Sequence, residues 1–329
     1  MIRTVNTAIE DNRYAYAVAY IRALEEKSLT SQTVTQLLEV EGGENLLGML
    51  QGTEYEVDSL ETFERKLREE LDETIYLVRK LSLDAALEEL LTLKYDFYNL
   101  KVLLMAKHSA GDVEPVLVDG GLVSAGELRH AITEDRMCNL PEGFENAIRK
   151  AEAEFENEGE LRAIDVVLDR EFADIFYRVS SEYGRSFFIG FLSLFVDLSN
   201  IKVFFRAHNL GKEVDFFEKG LLDHGSLDKS LFSKPGEEFV SQLPADFSSL
   251  FGGSADYRKE EQSTARIERL ADEYLLRFLK STRYIVFGPE VLFTYLMVKE
   301  NELRTIRTIV LGKVNAIPVD MIKERIVFS

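Results

Sequence analysis

The sequence predicts an all-α protein built from three similar helical units of about 100 residues, and three observations lead there. Apolar residues recur at spacings of three and four along most of the chain. No stretch of strict apolar–polar alternation marks a strand. Six prolines and 20 glycines among 329 residues leave few interruptions, which suits helices better than a turn-rich β architecture.

The first stripe is Tyr14, Val18, Ile21 and Leu24. The second is Phe63, Leu67, Leu71, Ile75 and Val78, with Glu64, Arg65, Arg68 and Glu69 on the opposite side. Leu161, Ile164, Leu168, Phe172, Ile175 and Val179 form a third, and Ile267, Leu270, Tyr274 and Phe278 a fourth. Punctuation agrees with these helices. Gly288 breaks the chain, Pro289 stands at a first helical position, and Glu290 follows where a carboxylate favours the positive end of the helix dipole. Leu140-Pro141-Glu142 reads as a second opening of this kind.

An internal repeat organises these helices. Asp96-Phe97-Tyr98-Asn99-Leu100-Lys101 resembles Asp197-Leu198-Ser199-Asn200-Ile201-Lys202, with Asn99 and Asn200 101 residues apart. Each hexapeptide continues as an apolar half-helix to a glycine, Gly111 or Gly211. Lys299-Glu300-Asn301-Glu302-Leu303-Arg304 is a looser third copy, with Glu302 102 residues beyond Asn200 and Gly312 at its end. A second landmark follows each copy. Gly121 to Leu128 resembles Gly220 to Leu227 at a separation of 99 residues, and Ala316 to Ile322 is the loose third. Each reads as a turn into a short helix, with Ser124 and Asp223 placed to cap it. The domains expected are therefore 1–130, 131–230 and 231–329.

Charge and composition remove several functions. Lys and Arg number 39 against 58 Asp and Glu, a formal charge of −19. That argues against a nucleic-acid partner, whose affinity comes from neutralising phosphates, and against unaided adsorption to anionic lipid. One cysteine, Cys138, permits neither an internal disulfide nor a thiolate metal cage, and favours the cytoplasm without fixing the compartment. No apolar stretch behind Met1-Ile2-Arg3 marks a signal peptide. The best membrane candidates are Ser186 to Val196, with 11 uncharged residues, and Tyr284 to Val298, interrupted by Gly288-Pro289 and Glu290. A span needs about 20 apolar residues, so both read as buried core helices.

Catalytic patterns fail in turn. Gly43 and Gly48 have a phosphate-loop spacing, but Met49-Leu50 follow where Lys and a hydroxyl are needed. The histidines His108, His130, His208 and His224 form no metalloprotease motif. Glu127 and His130 make a single Glu-x-x-His pair, whereas a di-metal bundle needs two pairs and two more glutamates. Asp169 and Asp174 on an acidic helix do not make the carboxylate cluster of a diphosphate lyase. No cofactor and no metal site are expected.

The repeated cations Lys101, Lys202 and Arg304 leave two readings open. They lie along polar stripes of packed helices with their stems covering apolar surface, or they face a common partner.

The C-terminal segment from Phe287 to Arg307, with Gly288-Pro289-Glu290 and Lys299-Glu300-Asn301-Glu302-Leu303-Arg304, resembles the signature of the C subunit of the V-type (A-type) ATPase/ATP synthase, the counterpart of the d subunit of the vacuolar proton pump. Leu311 to Pro318, Tyr95 to Lys107, and Tyr14-Ala15-Tyr16-Ala17 leading into Arg22-Ala23-Leu24-Glu25 fit the same family. The chain departs from it at Val18-Ala19-Tyr20, where an Asn-Ala-Arg stretch is expected. The resemblance implies a funnel-like, pseudo-threefold arrangement of three helical domains. It also implies a non-catalytic, single-copy rotor component of the central stalk, monomeric in isolation. Such a component lies between the axle subunits and the membrane proteolipid ring, cytoplasmic and peripheral to the membrane through the complex, and passes torque between its two partners. Docking through rim loops and short helices makes Glu127, Asp223 and Asp320 the expected partner-facing residues, beside Lys101, Lys202 and Arg304. A free-standing helical adaptor for another complex is the alternative.

Overall fold

Three of the longest helices each carry one copy of the repeated hexapeptide, and buried residues run through all three. In the computed structural model, which describes residues 10–40, 43–57, 59–109, 116–137, 139–209, 219–251 and 260–327, every regular element among the described residues is helical. The helices are α1 Ala15–Glu25, α2 Ser31–Glu39, α3 Gly43–Leu50, α4 Leu60–Leu81, α5 Ala85–Ser109, α6 Ala125–Glu134 and α7 Phe144–Glu158. They continue as α8 Leu161–Tyr183, α9 Ser186–Asn209, α10 Gly236–Gln242, α11 Ala245–Phe251, α12 Glu260–Leu279, α13 Glu290–Val314 and α14 Val319–Lys323. Gly111, Gly211 and Cys138 lie outside the described residues.

The hexapeptides fall on α5, α9 and α13. The runs Leu90–Leu93 in α5 and Val291–Leu296 in α13 are consecutive buried residues, as expected of a helix apolar all round. The remaining long helices are amphipathic and turn one stripe inward. Phe63, Leu67, Ile75 and Val78 of α4 and Ile164, Leu168, Ile175 and Val179 of α8 are buried, along the stripes read from the sequence.

The chain forms two compact units. One comprises residues 83–200 and 215–227, hence α5 to α8 and α9 up to Asn200. There α8 packs on both α5 and α7. Phe97 of α5 meets Phe144 and Phe172 edge-on at ring-centroid distances of 5.4 and 5.9 Å. The other comprises residues 1–82, 201–214 and 228–329. Its core joins Leu37 and Leu38 of α2, Leu46 and Leu50 of α3, Phe63 and Leu67 of α4, and Ile306, Ile309 and Val310 of α13. Gly312 lets α14 approach: a Cβ there would come within 2.7 Å of Ile322 Cδ1.

Three sequence expectations change. The helix after Pro141 starts at Phe144, because Gly143 adopts a left-handed φ of 92° at its N-cap. That glycine is required locally, since a Cβ would lie 2.9 Å from Ile175 Cδ1. Pro289 caps α13 and Glu290 is its first residue. The apolar stretch at Ser186 does not stop at Val196: the helix continues, and Ser186–His208 is long and apolar enough to cross a membrane, with a hydropathy of 1.7. Much of that segment is buried in protein, and two of its polar side chains, Asp197 and Asn200, are themselves buried. Those features match a core helix.

Candidate partner interface

The repeated Asp and Asn are hooks that fasten a loop to a central helix. On α5 the buried Asp96 carboxylate accepts hydrogen bonds from the backbone N–H groups of Leu122 (2.9 Å) and Val123 (3.1 Å). One turn on, the Asn99 side chain donates to the Val118 carbonyl (2.7 Å) and accepts from its N–H (3.0 Å), closing a two-bond ring. On α9 the buried Asp197 accepts from the N–H of Ser226 (2.8 Å) and Leu227 (2.9 Å) and from the Ser226 hydroxyl. Asn200 exchanges the same two bonds with Leu222, at 3.1 and 2.8 Å. A loop with its N–H groups buried must find acceptors. The hexapeptide supplies them twice, in the same order.

This geometry corrects the register of the second landmark. Val118, Leu122 and Val123 correspond to Leu222, Ser226 and Leu227, so the counterpart of Gly121 is Gly225 and not Gly220. A Cβ on Gly121 would lie 2.0 Å from Asp96 Oδ1, and one on Gly225 2.4 Å from Asp197 Oδ1. Glycine stands in both places because a carboxylate is seated against the backbone there. The short helices diverge as well. Ser124 and Glu127 form a capping box at the start of α6, as their spacing suggests. Asp223 is followed by no short α-helix like α6: the next helical turn is the 3-10 segment Lys229–Ser233, capped by Asp228. In the third copy α14 begins directly after Pro318.

The third copy keeps the device and changes its chemistry. Lys299 occupies the Asp position and is buried. Its ammonium donates to Glu54 Oε2 (2.6 Å) and to the Tyr55 hydroxyl, with Glu302 at 3.9 Å. Glu302 occupies the Asn position, and its Oε1 accepts from the N–H of Leu29 at 2.7 Å. Burial pushes the Glu302 carboxyl up, and the nearby Lys299 only partly offsets it. Burial and then Glu302 push the Tyr55 hydroxyl far up as well, so it stays a neutral donor and acceptor. Beside them the Asn301 side chain donates to the Val327 carbonyl at 3.0 Å.

The cations Lys101 and Lys202 are held inside the chain. Lys101 on α5 pairs with Asp165 (2.7 Å) and Asp169 (2.6 Å) on α8. Burial lowers its ammonium, but Asp169 and Asp165 outweigh that and the net shift is upward. Lys202 on α9 pairs with Asp272 on α12 at 2.7 Å, and Arg304 on α13 reaches the other oxygen of Asp272 at 2.9 Å. The Lys101 and Lys202 side chains are 22% and 27% exposed. Arg304 is more open, with 53% of its side chain exposed. It lines a cleft of about 740 Å³ with Thr264, Glu268, Asp272, Thr308 and Met321.

Glu127, Asp223 and Asp320 are all exposed. Lys101, Glu127 and Asp223 belong to one unit and Lys202, Arg304 and Asp320 to the other. Glu127 is occupied by Ser124, and His130 turns instead to Glu134, at 3.2 Å. Among the described residues no group of three His, Cys, Asp or Glu could hold a metal ion.

Sequence reasoning missed two exposed apolar groups in the second unit. Leu311, Val314, Ile317 and Met321 are 40–50% exposed where α13 ends and α14 begins. Tyr16 and Tyr20 on α1, and Tyr284 and Val286 ahead of α13, are 42–73% exposed near the other end of α13. Tyr16 and Tyr20 share one face at helical spacing, a signal present in the sequence beside the stripe of Tyr14, Val18, Ile21 and Leu24.

Comparison with known proteins adds the family. The model of the ATP synthase (C/AC39) subunit family matches residues 17–325. The C subunit of the V-type sodium ATPase of Enterococcus hirae is 26% identical over 314 residues, covering 93% of this chain and 95% of that protein. The C subunit of the A-type ATP synthase of Methanosarcina acetivorans is 26% identical, covering 96% of this chain and 93% of its own. That of Pyrococcus abyssi is 24% identical, with 95% and 90% covered.

Proposed function

From the premise that this chain belongs to the ATP synthase (C/AC39) subunit family, we propose that it is the central-stalk rotor component of a V/A-type rotary ATPase or ATP synthase. In this reading it lies between the axle subunits and the proteolipid ring, is present in one copy, and passes torque for proton or sodium transport. It is non-catalytic and takes no cofactor. It is cytoplasmic and held at the membrane through the complex. Its three helical repeats span 1–130, 131–230 and 231–329.

The observation that carries the proposal is the coverage: relatives named as the C subunits of V-type and A-type enzymes align over nearly their whole length and that of this chain. The hooks support it physically. A part that transmits torque must not yield, and loops tied to buried helices through paired hydrogen bonds resist local opening. Close-packed interiors add low compressibility. Exposed apolar groups toward both ends of α13 suit a part with two protein partners. Glu127, Asp223 and Asp320 are the proposed contacts on loops and short helices. Arg304 presents the cleft, and Lys101 and Lys202 would meet a partner only through their ion pairs.

Co-purification tests this reading. Tagged chain should bring down the proteolipid ring and the axle subunits, and cross-linking mass spectrometry should place both against it. Recovery of the chain with an unrelated assembly and neither partner would replace the rotor with an adaptor.

A further inference from the structure

The second hook loop carries a fastening that the first lacks. His224 has a left-handed φ of 72°, which L-residues with a side chain rarely adopt. Its Nε2 lies 2.7 Å from Asp174 Oδ1 on α8. Its ring stacks on Tyr177, one turn along the same helix, at 4.2 Å between centroids and 10° between planes. In the first copy the corresponding position, just before Gly121, is Gly120. The other charged groups around this loop are Asp197 of α9, which holds Ser226 and Leu227, and Asp223, next in the chain. Arg170 of α8 donates to the Lys219 carbonyl, and Lys219 pairs with Glu158 at the end of α7. Among these described groups His224 alone belongs to the residue type whose ordinary titration falls between pH 5 and 8.

We propose that His224 and Asp174 form a pH-responsive latch that fastens loop 219–227 to α8 in acid and loosens it toward alkaline pH. With a neutral imidazole the ring donates an N–H to the Asp174 carboxylate. With an imidazolium the same contact becomes an ion pair and gains the attraction between opposite charges, a modest gain for a partly exposed pair. Tyr177 keeps the ring in line in both states, so the change is confined to the strength of one bond. Asp223 rides on this loop, so the latch would favour partner contact at lower pH. That last step rests on the rotor reading, whereas the latch itself does not.

Amide hydrogen exchange on the intact chain tests it at pH 5.5 and pH 8, corrected for intrinsic rates. Protection of 219–227 should be greater at the lower pH, by up to about five-fold. His224→Asn retains a donor and tolerates a left-handed φ. Asp174→Asn keeps the shape and removes the charge. Both should flatten the profile while circular dichroism stays unchanged. Wild-type protection that ignores pH, or a His224→Asn profile still matching wild type, overturns the latch. Axle and ring pull-downs at the two pH values form a separate arm. Capture that ignores pH while exchange responds overturns the link to docking and leaves the latch standing, whereas no capture at either pH counts against the rotor reading alone.

Discussion

Asp96 and Gly121 occupy one another's space: the carboxylate of the first sits where a side chain on the second would be, 2.0 Å from a Cβ built there. The same carboxylate accepts from Leu122 and Val123. Asp96→Ala should therefore cost about 2–4 kcal/mol, because one buried and one partly buried N–H group lose their acceptor. Gly121→Ala should cost a similar amount by expelling the carboxylate. The two losses describe one interaction, so the double variant should be no less stable than Asp96→Ala by more than about 1 kcal/mol. Urea unfolding of the four proteins measures the cycle, and additive losses would show that the two residues act separately.

The same relationship explains what is legible in the sequence. The Asp-x-x-Asn pattern is visible because one helix carries both groups at fixed spacing. Their targets lie on loops, and a loop can gain three residues between anchor points without disturbing either bond. The 101-residue interval between the hexapeptides therefore becomes 104 between the loop residues they hold. Gly220 looks like the partner of Gly121 because a leucine follows each, while Gly225, the glycine that the carboxylate requires, stands five residues later. The third copy is degenerate for a related reason. Lys299 keeps the fastening role with the opposite charge, and nothing in a single sequence links it to Glu54 and Tyr55 some 245 positions earlier.

The Lys299 cluster should be among the least tolerant sites in the chain. Its side chain is 4% exposed and pairs with Glu54, so removing it strands a partly buried carboxylate beside Glu302. Lys299→Ala should destabilise by about 3–5 kcal/mol. Replacing both members, Lys299→Met with Glu54→Leu, should recover most of that loss, because apolar pairs of similar volume are often at least as stable as the buried ions they replace. Thermal unfolding of the single and double variants reads the difference.

Glu302 gives a pH signature with a definite sign. Its carboxyl is raised above the ordinary 4.5 by burial, so the folded chain binds this proton more tightly than the unfolded chain. Its contribution is full below pH 4.5 and is lost as pH rises through the elevated folded-state value. Glu302→Gln keeps an acceptor for the Leu29 N–H and removes the titration. Urea unfolding across the acidic range up to neutrality should show stability rising more steeply with pH in the variant than in the wild type. Parallel profiles would mean that the Glu302 proton is not coupled to folding.

Asp272 ties three helices, since Lys202 of α9 and Arg304 of α13 each reach one of its oxygens from α12. Asp272→Ala should cost about 2 kcal/mol, the low end for two charge-assisted bonds because the Arg304 side is open to water. The Lys202 share should be less sensitive to salt than the more exposed Arg304 share. Comparing Lys202→Ala and Arg304→Ala at about 0.05 and 0.5 M salt separates them. Equal salt dependence would place both pairs at the surface.

The exposed carboxylates test docking, and each needs its own control. Glu127→Lys, Asp223→Lys and Asp320→Lys together should weaken recovery of the ring or axle by at least about ten-fold if these loops carry the contact, since like charge opposed to a complementary surface costs several kcal/mol. Glu127 also completes the capping box of α6, with Ser124 bonded to both its N–H and its carboxylate. Its carboxyl is held below the ordinary value chiefly by the Ser124 hydroxyl. Loss of binding through Glu127→Lys could then come from a frayed helix. Glu127→Gln preserves the box, because glutamine serves at that position too, and removes only the charge. If Glu127→Gln in the triple background weakens recovery as Glu127→Lys does, with circular dichroism unchanged, the charge itself makes the contact. If recovery in the pull-down is untouched by all three lysines, the partner surfaces lie elsewhere, and the exposed Leu311, Val314, Ile317 and Met321 become the surface to substitute next.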